Sequence, residues 1–279
     1  MRLFITGAKG QLGRTLQTHF ANDTVLPADL PECDITDRAC VMQAVGEFKP
    51  DVVIHAAAMT DVDGCARDPD AAFRANALGT QNVALACQSA NCAMLYISTN
   101  EVFDGRKAKP YLEFDAPNPI NAYGRSKLAG ETVIRDLLTR FYIVRIAWLY
   151  GKGGHHFVRK MIRLADERGS LRVVADEDGS PTYAEDVARA VRQLVQTGAY
   201  GVYHLVNDGL ASRLDFAREI LRLAGRGHIP VEPIKLADFI RASTPPPYTP
   251  LRNFCGAAQG ITLRPWQEAL AEYLATHDC

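Results

Sequence analysis

The chain has 279 residues, 47% hydrophobic and 23% charged, which is enough apolar material for a large core. Its 31 basic residues balance 32 acidic ones to a net charge of −1, so the charge balance gives no footing for nucleic-acid or membrane-surface binding. No apolar run approaches the ~18 residues of a membrane span, and the length allows one or two domains.

Residues Arg2–Thr6 predict a short apolar strand. The run is too short for a secretion signal and a glycine turn follows at once. The seven cysteines (Cys33, Cys40, Cys65, Cys87, Cys92, Cys255, Cys279) are odd in number and form no CxxC. They read as reduced thiols, mostly small core residues, of a cytoplasmic protein.

The turn is Gly7-Ala8-Lys9-Gly10-Gln11-Leu12-Gly13, and a helix with Leu12, Leu16 and Phe20 on one face follows it. Strand, glycine turn and helix are the context that gives a glycine fingerprint meaning. Gly7 permits the tight turn, Gly10 lets backbone N–H groups approach a pyrophosphate, and Gly13 lets the helix pack closely. Residues 25–27 predict a second strand. Asp29, about 20 residues beyond the turn, stands where an acid can bond adenosine ribose hydroxyls. No arginine adjoins Asp29 to receive a 2′-phosphate, which favours NADH over NADPH. Asp34 and Ile35 are placed to flank an adenine. Thr36 or Asp37 then caps a helix running to about Phe48.

Residues 50–58 predict a buried strand that ends in Ala56, Ala57 and Ala58, small residues that leave room for a ligand. His55 inside it reads as a structural histidine. Met59-Thr60-Asp61 begins the next loop. One long helix is predicted over residues 69–90, with Asn76 poised to bond a neighbouring loop. Residues 93–98 predict the fourth strand, which leaves through Ser98-Thr99-Asn100-Glu101.

Asn121-Ala122-Tyr123-Gly124-Arg125-Ser126-Lys127 opens another helix. Tyr123 and Lys127 sit four apart and share a face. A cation near a phenol favours the phenolate, so the pair can pass a proton to a carbonyl or take one from an alcohol. A fifth strand is predicted over residues 142–147, with Arg145 structural and Trp148-Leu149-Tyr150-Gly151 as its exit. Further segments follow at Phe157–Arg168 and at residues 171–175, 183–196, 202–206 and 214–224, with Ser212 as a cap. Trp266–Thr276 predicts a closing amphipathic helix. The adjacent His155-His156 reads as loop, not as a metal site.

Glycine turn after the first strand, Ser-Thr ending the fourth, then Tyr-x-x-x-Lys: this order resembles the extended branch of the short-chain dehydrogenase/reductase family. The resemblance implies an α/β fold, a Rossmann-type doubly wound parallel sheet with a smaller C-terminal α/β substrate-binding domain. Residues 1–150 would bind NAD(P), with part of 180–210 returning to that domain. Residues 151–279 would mainly bind substrate, interleaved with the first part.

Within that branch, the stretches at 56–63, 97–105 and 145–151, Gly179-Ser180-Pro181-Thr182 and Pro265-Trp266 resemble the dTDP-4-dehydrorhamnose reductase family, almost end to end. That family reduces the 4-keto group of a nucleotide sugar with NADH or NADPH. The resemblance places catalysis on Thr99, Tyr123 and Lys127. It places pyrophosphate contacts on Gly10, Gln11 and Leu12, adenine-side contacts on Asp34 and Ile35, and a turn beside the cofactor on Ala58, Met59 and Thr60. Sugar contacts fall on Thr99, Asn100 and Trp148, with Trp148 an apolar wall for a deoxysugar. The partner implied is a nucleotide sugar, and the protein is expected as monomer or homodimer.

Two departures stand out. Asn100-Glu101 replaces the Asp-Tyr of many such reductases, and Glu101 matches nucleotide-sugar 4,6-dehydratases instead. An amide at 100 cannot serve as their general acid. Arg14 and Thr15 occupy positions where some relatives carry magnesium-binding acids, so no metal is expected. The alternatives are another nucleotide-sugar epimerase or dehydratase with bound NAD, and a non-catalytic protein like the regulatory subunits of methionine adenosyltransferase.

Overall fold

The runs at residues 3–5, 52–54, 93–97 and 142–144 have no charged member. Such runs belong in strands covered on both faces. The computed structural model describes residues 1–154 and 156–277, and it places these runs in one parallel sheet. His155 of the histidine pair and Cys279 lie outside the described residues.

The chain order is β1 (Arg2–Thr6), α1 (Gln11–His19), β2 (Thr24–Ala28), α2 (Arg38–Phe48), β3 (Val52–His55), α3 (Val62–Arg67), α4 (Pro69–Phe73), α5 (Thr80–Ala90) and β4 (Ala93–Thr99). Then come α6 (Ala122–Leu137), β5 (Phe141–Ile146), β6 (Leu149–Tyr150), α7 (Phe157–Arg168), β7 (Leu171–Val174), β8 (Asp178–Gly179), β9 (Thr182–Tyr183) and α8 (Ala184–Thr197). The last elements are β10 (Gly201–His204), β11 (Ala211–Ser212), α9 (Arg213–Leu223), β12 (Val231–Ile234), α10 (Cys255–Ala258) and α11 (Trp266–Thr276).

Six strands pair in the order β10-β5-β4-β3-β1-β2, every pair parallel. The chain leaves β1 one way to β2 and the other way to β3. The switch point between β1 and β3 is where such sheets open a ligand crevice at their carboxyl ends. Alternate residues of each strand serve the two faces. Leu3, Ile5, Ile54 and Leu95 pack with Leu12, Leu16, Val187 and Val191 of α1 and α8. Phe4, Val53, Met94 and Ile143 pack with Val41, Val83, Cys87 and Ile134 of α2, α5 and α6. A third cluster joins α7, α9 and α11 through Met161, Phe216, Ile220, Trp266 and Leu270.

Local signals set the boundaries. Asp37 caps α2 by accepting from Ala39 and Cys40 N–H groups, and Ser212 caps α9 by accepting from Asp215 N–H. The helix expected over 69–90 is not one regular α-helix. It widens to a π-helical turn at Arg74–Gly79 between α4 and α5. Inside that turn the buried Asn76 bonds the loop after β3. The six described cysteines are free thiols. Among the described residues no helix is long and apolar enough to cross a membrane.

Candidate active site

The site grows from the turn after β1. Gly7 has φ +69°, and a Cβ there would lie 2.6 Å from Ala57 N. A Cβ on Gly13 would lie 2.1 Å from the Gly7 carbonyl oxygen. Neither position admits a side chain, so α1 begins hard against the turn. Its first N–H groups have no side-chain cap at Gly10, and they open toward the crevice with the helix's positive end. The Gln11 Nε2 donor is buried and has no hydrogen-bond partner among the described residues. An unpaired donor beside a glycine cradle fits the pyrophosphate of a dinucleotide.

The crevice is a cleft of about 850 Å³. Its wall includes every residue expected to serve catalysis, cofactor or sugar: Gly7, Gly10, Gln11, Leu12, Gly13, Asp29, Asp34, Ile35, Ala58, Met59, Thr60, Thr99, Asn100, Tyr123, Lys127 and Trp148. These come from six separate stretches of chain. Asn76 fastens one wall: Oδ1 accepts from Met59 N at 2.8 Å, while Nδ2 donates to Met59 O at 3.0 Å and Ser126 Oγ at 2.9 Å. His55 below it is structural. It is fully buried, with its ring nitrogens 2.6 Å from Thr6 Oγ1 and 3.0 Å from Thr80 Oγ1. Burial pushes its pKa down to about 3.

At the end of the cleft formed by the turns after β1 and β2, Asp29 Oδ2 accepts from Lys9 N at 2.7 Å and Oδ1 from Leu30 N at 2.8 Å. Asp29 thus ties the two turns together. Asp34 Oδ1 accepts from the backbone N–H and the hydroxyl of Thr36, both at 2.8 Å. Asp29 has no arginine beside it in sequence, yet a cation is close in space. The Lys9 ammonium lies 2.7 Å from Leu30 O and from Glu32 Oε2. The expected preference for NADH rested on sequence neighbours and overlooked it.

At the other end α6 presents Tyr123 and Lys127. Asn121 caps it: Oδ1 accepts from Gly124 N at 2.8 Å, and Nδ2 donates to Glu101 Oε2 at 2.5 Å. One turn beyond Lys127, Glu131 accepts from Arg145 Nε at 2.9 Å, Arg145 Nη2 at 2.7 Å and Ser98 Oγ at 2.6 Å. This buried fork locks α6 to β5 and β4, and so sets Tyr123 and Lys127 against Thr99. Arg145 is therefore structural, as its place in a strand suggested. Glu131 was not singled out, although Tyr123, Lys127 and Glu131 at successive four-residue steps were visible.

Burial pushes the Lys127 pKa down to about 7, with Glu131 opposing. Its Nζ lies 4.0 Å above the Tyr96 ring. Burial first, and then the Glu101 carboxylate, raise the Tyr123 pKa, while a hydrogen bond with Thr99 lowers it. The expectation that Lys127 holds the phenol low is therefore not met. Desolvation outweighs a cation that is itself poised near neutrality. Burial also raises the Glu101 pKa, and the Asn121 hydrogen bond resists it.

Thr99 Oγ1 donates to Asn100 Oδ1 at 3.2 Å and accepts from Glu101 N at 3.2 Å. Asn100 Nδ2 donates to Thr249 Oγ1 at 2.7 Å, a partner from far along the chain. Trp148 adopts φ +42°, a left-handed conformation rare for a bulky residue. Its indole leaves no room for a Cβ on Gly179, which would sit 2.4 Å away. The Arg213 guanidinium lies 3.6 Å from the centre of the indole ring. Arg213 also lines a neighbouring groove of about 1340 Å³ along α7, with Phe157, Glu177 and Arg241. That groove is larger, but the Tyr123–Lys127 pair belongs to the smaller cleft.

The RmlD substrate binding domain family matches residues 1–279. A dTDP-4-dehydrorhamnose reductase of Mycolicibacterium smegmatis is 40% identical, covering 98% of this chain and 85% of that one. A solved dTDP-4-dehydrorhamnose reductase from Clostridium acetobutylicum superposes with a TM-score of 0.96 at 41% identity, covering 99% of both chains. Another, from Bacillus anthracis in complex with NADP, gives 0.96 at 40% identity and 99% of both. A dTDP-glucose 4,6-dehydratase from Streptomyces venezuelae shares the fold at a TM-score of 0.85, with 18% identity and coverage of 99% and 96%.

Proposed function

The chain belongs to the RmlD substrate binding domain family, and from that premise we propose that it reduces the 4-keto group of dTDP-4-dehydro-L-rhamnose to dTDP-L-rhamnose with NADH or NADPH. The observation that carries the reading is one cleft holding both the glycine cradle and the Thr99, Tyr123 and Lys127 side chains. Residues 1–150, joined by the strand at Gly201–His204, would hold the cofactor. Residues 151–279 would mainly hold the sugar nucleotide. The protein would work in the cytoplasm, as a monomer or homodimer that light scattering distinguishes.

Gly7, Gly10, Gln11, Leu12 and Gly13 would hold the pyrophosphate. Asp29, Asp34 and Ile35 would border the adenosine, and Ala58, Met59 and Thr60 the adjoining wall. The nicotinamide supplies hydride. The remaining chemistry falls to this chain's side chains. Tyr123 stays a phenol across neutral pH, because burial and Glu101 disfavour its charged form. It can therefore donate its proton to the sugar O4 as charge develops there. Thr99 offers a second hydroxyl to the same oxygen. Lys127, one turn away, favours the phenolate that remains, and does so to the extent that it is charged. Trp148 gives the sugar a flat apolar wall, held from behind by the Arg213 guanidinium, which is paired with Glu177.

The half-buried Glu101, which lines the cleft, favours a second reading, a dehydratase that eliminates water with this carboxylate as base. Asn100 opposes it: its amide donates to Thr249 and has no acidic proton to give. Incubation with dTDP-4-keto-6-deoxy-L-mannose should consume one NAD(P)H per sugar. Conversion of dTDP-glucose to a 4-keto-6-deoxy sugar without added cofactor would favour the dehydratase.

A further inference from the structure

Residues 241–249 belong to the later part of the chain, yet they reach back to the first part at three places. Asp63, in the first turn of α3, accepts from Arg241 Nε and from Ser243 N, both at 2.9 Å. Asn121 Nδ2 donates to Thr244 O at 3.2 Å. Asn100 Nδ2 donates to Thr249 Oγ1 at 2.7 Å. These residues therefore lie as a strap from α3, past the start of α6, to the exit of β4. The two ends of the strap are held differently. Ser243, Pro245, Pro246 and Thr249 are buried, and Asp178 pairs with the backbone of Pro247 and Thr249. Before Ser243, none of residues 236–242 is buried, and Ile240 is 97% exposed. With no apolar anchor there, the two bonds to Asp63 are what fasten that end.

We propose that Asp63 is a positioning residue for the reduction: by latching Arg241 and Ser243 it keeps Thr244 O on Asn121, and so holds Tyr123 and Glu101 in place at the cleft. The proposal rests on the reductase reading given above. Asp63 is not among the residues that line the cleft, so it acts through Asn121. A side-chain amide has one acceptor oxygen and two donor hydrogens, and Asn121 uses all three. Its oxygen caps α6 at Gly124 N, one hydrogen holds Glu101 Oε2, and the other holds Thr244 O. Tyr123 stands in the turn that this cap sets. Asp63 and Arg241 are 31% and 23% exposed, and the same carboxylate oxygen also takes a backbone N–H. Charge assistance strengthens both bonds. Without the latch the Thr244 carbonyl can leave, and the amide can turn away from Gly124 N and Glu101 together.

The test combines steady-state reduction of dTDP-4-keto-6-deoxy-L-mannose, NADH titration and amide hydrogen exchange on the full-length protein. Asp63→Ala should lower kcat about tenfold or more, with KM within about threefold, because orientation for the chemical step is lost more than binding. The dissociation constant of NADH and the urea midpoint should hold. Amides of residues 236–244 should exchange about tenfold faster or more, and those of the central sheet at the same rate. Arg241→Ala should lower kcat as well, and the double variant should fall no further than Asp63→Ala, since the two residues act as one unit. Asp63→Glu, which keeps the charge, should recover most of the turnover. Faster exchange with unchanged kcat overturns the proposal while the reductase reading stands. So does a loss of kcat accompanied by a lower urea midpoint and weaker NADH binding, which would make Asp63 a residue of general stability. An unaltered protein that binds NADH but reduces no keto sugar overturns both.

Discussion

Glu131 and Arg145, which fix the Tyr123 end of the cleft, are 0% and 1% exposed, whereas Lys9 and Glu32 at the glycine-turn end are 54% and 66% exposed. The same kind of ion pair serves different ends in the two places. A buried fork has no water to replace a lost partner, so it holds α6 in one position. An exposed pair exchanges partners at little cost. The chemistry needs its groups held to a fraction of an ångström, and the buried end supplies that. The exposed pair between the turns after β1 and β2 fixes no such position.

The comparison breaks first at Tyr123. Tyr123→Phe deletes the proton and keeps the ring. Turnover should fall about 10³-fold, near 4 kcal/mol, while the dissociation constant of NADH stays within about twofold. Near-normal turnover would mean that the buried end does not carry the chemistry.

Removing one side of the buried fork comes next. Arg145→Leu leaves the buried Glu131 carboxylate with Ser98 and the exposed Arg135, whose Nη2 lies 3.5 Å away, and should cost about 3 kcal/mol in urea unfolding. Glu131→Leu combined with Arg145→Leu should recover most of that stability but not the turnover, because the helix loses its register. The Lys9→Ala protein should unfold like the unaltered one. A similar loss at both ends would erase the distinction drawn here.

Acid sharpens the comparison. His55 and His204 are buried, and their pKa values are pushed down to about 3. Burial is the main cause, with Lys127 adding to it for His55 and Arg145 for His204. The unfolded chain takes these protons below an ordinary pKa near 6.5, and the folded chain refuses them until about 3. Their contribution to stability is complete above 6.5 and is lost progressively as pH falls toward 3. Unfolding free energy should drop by about 2 kcal/mol between pH 7 and 5.5 from these two groups. A flat profile over that range would show the histidines to be solvated.

The smallest effect belongs to Glu101→Gln. If the carboxyl only lines the sugar pocket, KM should rise about threefold with less change in kcat, since binding common to ground and transition states is lost. A large fall in kcat would make Glu101 part of the chemistry.

Much of this site was legible because its signals are local. The glycine turn, the Asp37 cap and the four-residue step from Tyr123 to Lys127 are each contained within a few residues. Arg145 and His55 were legible as structural because a polar side chain inside an apolar strand needs a buried partner. The identity of those partners was not legible. Glu131 meets Arg145, Thr249 meets Asn100 and Lys9 meets Glu32 only after the sheet and its turns bring distant segments together. The π-helical turn at Arg74–Gly79 escaped for the same reason, since Asn76 answers to the loop at Met59 and not to its own helix.

The most direct measurement follows one hydrogen. Reduction of dTDP-4-keto-6-deoxy-L-mannose with NADH or NADPH deuterated on the transferring face at nicotinamide C4 should give a product carrying one deuterium at sugar C4. The same reaction run in heavy water with ordinary cofactor should place none on carbon. A product without deuterium at C4 from the labelled cofactor, or solvent deuterium entering C5, would contradict direct transfer at the Tyr123 end and return the cleft to Glu101.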